Sequence, residues 1–311
     1  MDASRDPAPR VRPGRPADVT FRSGFVAVVG RPNTGKSSLV NALVGRKVTI
    51  VSNKPQTTRR DVRGVLTTDA YQMVFADTPG FHKPQTLLGS RLNDLVAEAT
   101  DGVDAIVQVV DAKAGVGLGD AYVFDRQVRG FAGVKLCAVN KLDLIRNHEE
   151  VPQLEAAAAL GDWNEVVPVS AKTGRGVRVL LDLVAARLPE GPAHFPTDEV
   201  TDQPLEVRLA EIVREKALAL TRQEVPHSIA VAVEELERDE SITKVHASLV
   251  VERDSQKGIV IGKGGKTLKT IGSRARRDME LVLGTKVFLD LQVKVLKEWQ
   301  RDPKALQRLG F

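Results

Sequence analysis

The sequence predicts a mostly parallel α/β domain with helices on both faces of its sheet, followed by a smaller α+β domain. Three observations predict this. Apolar runs of strand length alternate with helical stretches between residues 23 and 188. A segment with four prolines and no sustained periodicity, residues 189–204, ends that alternation. From residue 204 to 311 the order becomes helix, two strands, two helices and a closing strand. Alternating strands and helices build a parallel sheet buried on both faces, and a proline-rich break without periodicity reads as a linker. The expected divisions are a tail over 1–22, a first domain over 23–188, a linker over 189–203 and a second domain over 204–311.

Composition agrees with a soluble protein. The chain has 311 residues, 42% hydrophobic and 27% charged, enough for two cores of ordinary size. No apolar run reaches the roughly 18 residues that span a membrane. The single cysteine, Cys137, excludes an internal disulfide, suits a reducing cytoplasm and lies in the apolar run VKLCAV as a small core residue. Residues 1–22 are rich in Pro and Arg and lack the apolar segment of a signal peptide, which predicts a disordered basic tail. The net charge of +5 is unevenly placed: seven basic and no acidic residues lie between Lys257 and Arg277, while EELERDE at 234–240 holds five acidic residues. A domain with one basic and one acidic face offers an oriented surface to a polyanion.

In the first domain, FVAVVG (25–30), YQMVFAD (71–77), DAIVQVVDA (104–112), VKLCAVN (134–140) and EVVPVSA (165–171) are buried strands by length and content. DVRGVLTT (61–68) precedes the second of these as an antiparallel hairpin partner. Helices are expected in GSRLNDLVAEAT, VPQLEAAAAL and VRVLLDLVAARL. Ligands of such sheets bind at the carboxyl ends of strands. The informative residues should follow the strands, and they do.

Gly30-Arg31-Pro32-Asn33-Thr34-Gly35-Lys36-Ser37 follows the first strand and satisfies G-x-x-x-x-G-K-[ST]. The backbone amides of such a loop converge on phosphate, and the following helix points its positive end at it. Lys36 brings a charge to the β- and γ-phosphates, and Ser37 a hydroxyl to Mg²⁺. Asn140-Lys141-Leu142-Asp143 follows a later strand. The Asp143 carboxylate can accept from guanine N1–H and its 2-amino group, which adenine lacks. Asn140 can reach the O6/N7 side, and the Lys141 stem can cover the ring. Ser170-Ala171-Lys172 closes the base pocket through backbone amides. Asp77-Thr78-Pro79-Gly80 ends YQMVFAD, with Asp77 facing the metal and the Gly80 amide the γ-phosphate. KPQTTRRD (54–61) reads as a mobile switch loop whose Thr58, or Thr57 in the adjacent register, completes the Mg²⁺ shell when a γ-phosphate is present.

These five motifs, in this order and at these strand ends, resemble the series of the translation-factor-related GTPases. GRPNTGKSS, KPQTTRR, DTPGFHKP, NKLD and SAKTG together resemble the Era family of ribosome-associated GTPases. Thr34 and Ser38 depart from the Val and Thr common there, away from the phosphate contacts. Phe81 stands where Ras-like GTPases carry the glutamine that orients the attacking water, and it has no hydrogen-bonding group. Hydrolysis is therefore slow, or another group supplies the positioning. The resemblance implies K⁺ held partly by Asn33, which makes Asn33, Lys36, Thr58 and Gly80 the candidate catalytic set. The alternative is that Asn33 only stabilises the loop turn.

GIVIGKGGKTLKTIG (258–272) also ends a glycine cluster in Gly-Lys-Thr. A second P-loop would need glycine at Val260, and an interruption of the following helix is expected at Gly272-Ser273. What remains is G-x-x-G: Gly258 and Ile261 lead into Gly262-Lys263-Gly264-Gly265, with Lys266, Lys269, Arg274 and Arg277 beyond. Leu268 and Ile271 then show helical spacing, and SRARRDMELVLG reads as a further helix. A two-glycine turn beside basic residues is the loop with which KH domains clamp about four nucleotides. The element order is that of the type II KH fold.

The whole reading is a P-loop GTPase domain joined to a type II KH domain, and the resemblance to the Era family extends over residues 24–311. It implies hydrolysis of GTP to GDP and phosphate with Mg²⁺, and binding to the 3′ region of 16S rRNA on the 30S subunit. It further implies a role in 30S assembly, with no DNA partner. It also implies a cytoplasmic location with weak peripheral association at the inner face of the cell membrane. A membrane-peripheral signalling or cell-cycle GTPase, using its basic faces on lipid, is the runner-up. An RNA-binding protein that binds but barely hydrolyses GTP is a third reading. The apolar residues of KTLKTIG are expected in the KH core, which favours RNA over lipid.

Overall fold

The computed structural model describes residues 20–54, 56–80, 86–222, 224–239 and 241–311. Within the first domain the elements are β1 (Arg22–Val29), α1 (Lys36–Val44), β2 (Val62–Thr67), β3 (Tyr71–Asp77), α2 (Leu87–Ala99), β4 (Ala105–Asp111), α3 (Leu118–Val123), β5 (Val134–Asn140), α4 (Asn147–Ala158), β6 (Glu165–Pro168) and α5 (Val177–Ala185). Their sheet runs β2-β3-β1-β4-β5-β6. In it β2 and β3 are antiparallel, and the other neighbours are parallel.

Alternate residues of β1 enter different cores, as the period of two requires. Val26 and Val28 pack with Leu39 and Val40 of α1 and Leu180 and Val184 of α5. Ala27 and Val29 pack with Val123, Phe124 and Val128, where α3 runs into a wider π-type turn. Cys137 is fully buried beside Val110 and Ala157. Of the predicted tail, residues 1–19 lie outside the described residues, and its end needs correction. Arg22 already pairs with Tyr71 in the sheet, because the ladder between β1 and β3 starts three residues before the apolar run.

The second domain contains α6 (Leu205–Leu220), β7 (Ala230–Arg238), β8 (Ile242–Val251), α7 (Asp254–Ile261), α8 (Lys266–Leu283), β9 (Lys286–Val295) and α9 (Pro303–Arg308). Its sheet order is β7-β8-β9, antiparallel and then parallel. Leu209, Val213 and Ala217 of α6 meet Ile271, Ala275 and Met279 of α8 over Val245, Leu249 and Val287. The expected interruption at Gly272-Ser273 does not occur: α8 is one helix through both residues. An internal glycine costs about 1 kcal/mol, and burial of Ile271, Ala275 and Met279 at four-residue spacing outweighs it. The helices flanking G-x-x-G are therefore α7 and α8.

The linker does not hang free. The fully buried Gln72 accepts from the His194 and Phe195 amides at 2.7 and 2.9 Å and donates to the Phe195 carbonyl at 2.8 Å. The Val65 amide donates to the Val200 carbonyl at 2.9 Å, so the linker lines the outer edge of β2. Helix α2 buries Leu88 and Leu92 against Trp299, Leu306 and Leu309, joining the two domains in one apolar cluster.

Candidate functional site

The P-loop turns between β1 and α1, with Asn33 at φ 64° and Gly35 at φ 96°. A Cβ on Gly35 would strike the Asn140 amide, and one on Gly80 would lie 2.8 Å from Pro32 Cα. Both glycines therefore allow a closeness that no other residue permits. The Thr34 hydroxyl donates to the Arg31 carbonyl at 3.0 Å. Lys36, 6% exposed, donates to the Gly30 and Arg31 carbonyls, both at 3.0 Å. Burial pulls its ammonium down from 10.5 to about 8, against the raising effect of Asp77.

Three oxygen-bearing side chains converge beside it. Ser37 Oγ lies 3.0 Å from Thr58 Oγ1, and Thr58 Oγ1 donates to Asp77 Oδ2 at 3.3 Å. Thr49 donates to the same oxygen at 2.8 Å. Burial raises the Asp77 carboxyl, opposed by these hydroxyls and by Lys36. Asp77 Oδ1 is buried without a hydrogen-bond partner. Hydroxyls and a carboxylate with an unused buried oxygen fit a hard divalent cation such as Mg²⁺. The Thr57 hydroxyl instead turns back to the Lys54 carbonyl at 2.6 Å, so of the two threonines Thr58 faces this cluster. The Thr78 hydroxyl is buried on the Val28 carbonyl, and Pro79 leads to Gly80 beside Pro32. Phe81 lies outside the described residues.

The base side is tied together from within by Asn140. Asn140 Nδ2 donates to the Thr34 carbonyl and Oδ1 accepts from the Ala171 amide, both at 3.0 Å. Asn140 is thus a buried tie between the P-loop and the Ser170-Ala171-Lys172 loop, and the Ala171 amide is engaged within the protein. The residue is 2% exposed, and a buried amide takes the nearest partners it can reach. At Asp143, Ser170 donates to Oδ1 at 2.7 Å, and Lys172 stands 3.7 Å from Oδ2. Lys141 stretches back to the Asn33 carbonyl at 2.5 Å and to Asp111 at 2.6 Å, spanning the floor of the site, with Leu142 buried beneath. The Arg31 side chain reaches the fully buried Asp120 at 2.8 Å and the Gly115 carbonyl at 3.2 Å.

In the second domain, Gly262, Gly264 and Gly265 all have positive φ and Lys263 is exposed. The loop opens onto a groove of about 440 Å³ between α8 and the edge strand β9, lined by Leu268, Lys269, Arg276, Phe288 and Leu291 among others. Lys266 is exposed at the start of α8; Gly258 and Ile261 lie in α7 ahead of the turn. Arg274 and Arg277 are exposed but do not line the groove, whereas Arg276 does. The missed groove residues Gly272 and Arg276 were within reach of helical periodicity: they share one stripe of α8 with Leu268 and Lys269. Phe288 and Thr49 carried no signal in the sequence.

Comparison with known proteins agrees with both halves. A family model described as "50S ribosome-binding GTPase" matches residues 25–141, and a KH domain model matches residues 224–300. The GTPase Era of Mycobacterium tuberculosis (strain ATCC 25618 / H37Rv) is 52% identical over 297 residues, covering 94% of this chain and 99% of that protein. That of Mycobacterium avium (strain 104) is 52% identical over 298 residues, with the same coverages. Among solved structures, Era in complex with MgGDPNP and nucleotides 1506–1542 of 16S ribosomal RNA superposes with a TM-score of 0.89 at 37% identity, over 93% of this chain and 99% of that one. An Aquifex aeolicus Era variant bound to GDP·AlF4⁻ gives 0.90 at 37% identity and the same coverages. With a P-loop, an Asn-Lys-x-Asp turn and a KH groove in one chain of this similarity, the chain belongs to the Era family of GTPases.

Proposed function

We propose that this GTPase is a switch that binds the 3′ region of 16S rRNA through the groove beside Gly262–Gly265 and acts in 30S subunit assembly in the cytoplasm. The observation that carries the reading is the open glycine turn with exposed Lys263, Lys266 and Lys269 above a groove that holds Arg276 and Phe288. Basic groups track a backbone, and an aromatic ring gives a base a stacking surface. The similar Era solved with a 16S rRNA fragment supports it. Among the described residues no helix is long and apolar enough to cross a membrane. Ile271 is buried in the second core and Leu268 faces the groove, which leaves the lipid-binding reading without an apolar face on α8.

Ser37, Thr58 and Asp77 would hold Mg²⁺, whose charge offsets that of the phosphates when bound. Lys36 faces the β- and γ-phosphates, Gly80 presents its amide to the γ-phosphate, and Asp143 reads guanine. Asn33 is assigned to a K⁺ ion. None of the turn's hydrogen bonds comes from its exposed side chain, which leaves that side chain free to turn towards the phosphates. Binding of the chain's own 16S 3′-terminal fragment, with GDPNP or GDP and in K⁺ or Na⁺, tests the reading. Affinity for that fragment above a scrambled one, with hydrolysis faster in K⁺, is expected. Equal affinity for both RNAs removes the rRNA assignment, and equal rates in both salts remove the K⁺ assignment.

A further inference from the structure

Thr58 sits in a stretch with neither helix nor strand, residues 56–61. Its own hydroxyl reaches Ser37 and Asp77. The residues on either side of it are held by the other domain. The Thr57 carbonyl accepts a hydrogen bond from Arg214 of α6. The Arg59 guanidinium enters the RNA-binding domain and donates to the Ile229 and His227 carbonyls, both at 2.7 Å, and to the Pro226 carbonyl at 3.4 Å. It lies 5.8 Å from the centre of the Trp299 ring. Arg59 and Arg214 are 2% and 1% exposed.

We infer that Arg214 and Arg59 are positioning residues for GTP hydrolysis, holding the backbone around Thr58 so that its hydroxyl stays at the metal site. The inference rests on the reading of Thr58 as the metal-binding threonine. Glu211 aims Arg214 by accepting from Nε at 2.8 Å and from the terminal nitrogen at 2.5 Å. A carbonyl clamped at residue 57 and a side chain clamped at residue 59 leave the peptide between them little freedom. The loop's missing regular structure is thus replaced by hydrogen bonds with the RNA-binding domain, braced there by Glu211.

The lock is also costly to hold. Arg59 and Arg214 place two guanidinium charges side by side, 2% and 1% exposed. Arg59 Nε and Arg214 Nη1 are buried without hydrogen-bond partners. Two adjacent buried cations with unmet donors make a junction that a modest displacement of the RNA-binding domain can release. A route for such a displacement exists on α6: Lys216, two residues on from Arg214, is 2.5 Å from Asp278 of α8, the helix whose other side lines the groove. Any ligand that shifts α8 therefore acts on the segment that presents Thr58, and the influence is reciprocal.

The test uses the full chain with Arg214→Met and, separately, Arg59→Met, since an apolar side chain of similar length often replaces a buried charge without unfolding the protein. Thr58→Ala is the reference. GTP hydrolysis and GTP and GDP affinity are followed across a Mg²⁺ titration, with RNA affinity measured alongside. Each methionine variant is expected to lose about tenfold in kcat and to need several-fold more Mg²⁺ for half-maximal rate. GDP affinity and RNA affinity should stay within about twofold. Thr58→Ala should show the same Mg²⁺ shift. If Thr58→Ala shifts the Mg²⁺ requirement while both methionine variants keep the wild-type curve, the positioning role is overturned and the metal site stands. If Thr58→Ala itself leaves the curve unmoved, the reading of Thr58 fails first. Should one methionine variant not fold, the other decides the question.

Discussion

Two loops in this chain spell almost the same words, GRPNTGKS and GKGGKT, and the molecule treats them in opposite ways. The first is closed: Lys36 is buried on two backbone carbonyls, and a Cβ on Gly35 would collide with Asn140. The second is open: Lys263 is exposed, and a Cβ on Gly264 would meet nothing within 4 Å. Enclosure suits a small anion that is held on all sides, because amides and one ammonium can be aimed at fixed points. Openness suits a polymer, which must lie along the loop and leave at both ends. The difference lies in what surrounds the glycines.

The contrast sets the expected effects, the largest first. Lys36→Met should weaken GTP binding by about 10³-fold, the scale of two strong charge-assisted hydrogen bonds, and leave RNA affinity unchanged by gel shift when both proteins are free of nucleotide. A parallel loss of RNA binding would mean that the two loops serve one ligand.

The same variant tests the cost of enclosure. With its pKa near 8 in the folded chain and 10.5 in the unfolded one, Lys36 is charged in both states below pH 8. There the fold bears the full penalty of a buried ammonium. Between pH 8 and 10.5 the unfolded chain retains the proton that the folded chain releases, so stability rises with pH. Relative to Lys36→Met, the nucleotide-free wild type should gain about 3 kcal/mol across this window in denaturant titrations. A flat difference would show that the two carbonyls meet the ammonium's needs in full.

Asp143→Asn replaces an acceptor with a mixed amide and should lower GTP affinity by about 100-fold, the scale of one charged hydrogen-bond pair, while raising that for xanthosine triphosphate. Retained GTP preference would detach Asp143 from the base. The smallest effects belong to the open loop. Lys263→Asp with Gly264→Asp should reduce RNA affinity by about tenfold and the salt slope by about 0.7 for each phosphate no longer neutralised, with GTP affinity intact. Aspartate tolerates the left-handed backbone there, so the fold should survive. Arg276→Ala should cost severalfold and Arg274→Ala almost nothing, because only the former lines the groove. Equal losses would mean that charge alone, and no groove, binds the RNA.

Much of this was legible in the chain itself. Strand and helix periods, the order of the motifs after the strands and the helix–strand order after residue 204 are local patterns, and each acts over a few neighbouring residues. They determined both fold classes, the P-loop and the KH turn. What the tertiary structure decided are choices among partners distant in sequence. Asn140 reads locally as a polar residue at a strand end, and only the folded chain brings Thr34 and Ala171 within its reach. Thr57 and Thr58 are equivalent as text, and only the placing of Ser37 and Asp77 separates them. Gly272 reads as a break until the packing of Ile271, Ala275 and Met279 carries α8 through it. A linker held by Gln72 and a Thr57 carbonyl held by Arg214 have no local signature at all, since a buried polar group must find a partner but its sequence does not say which.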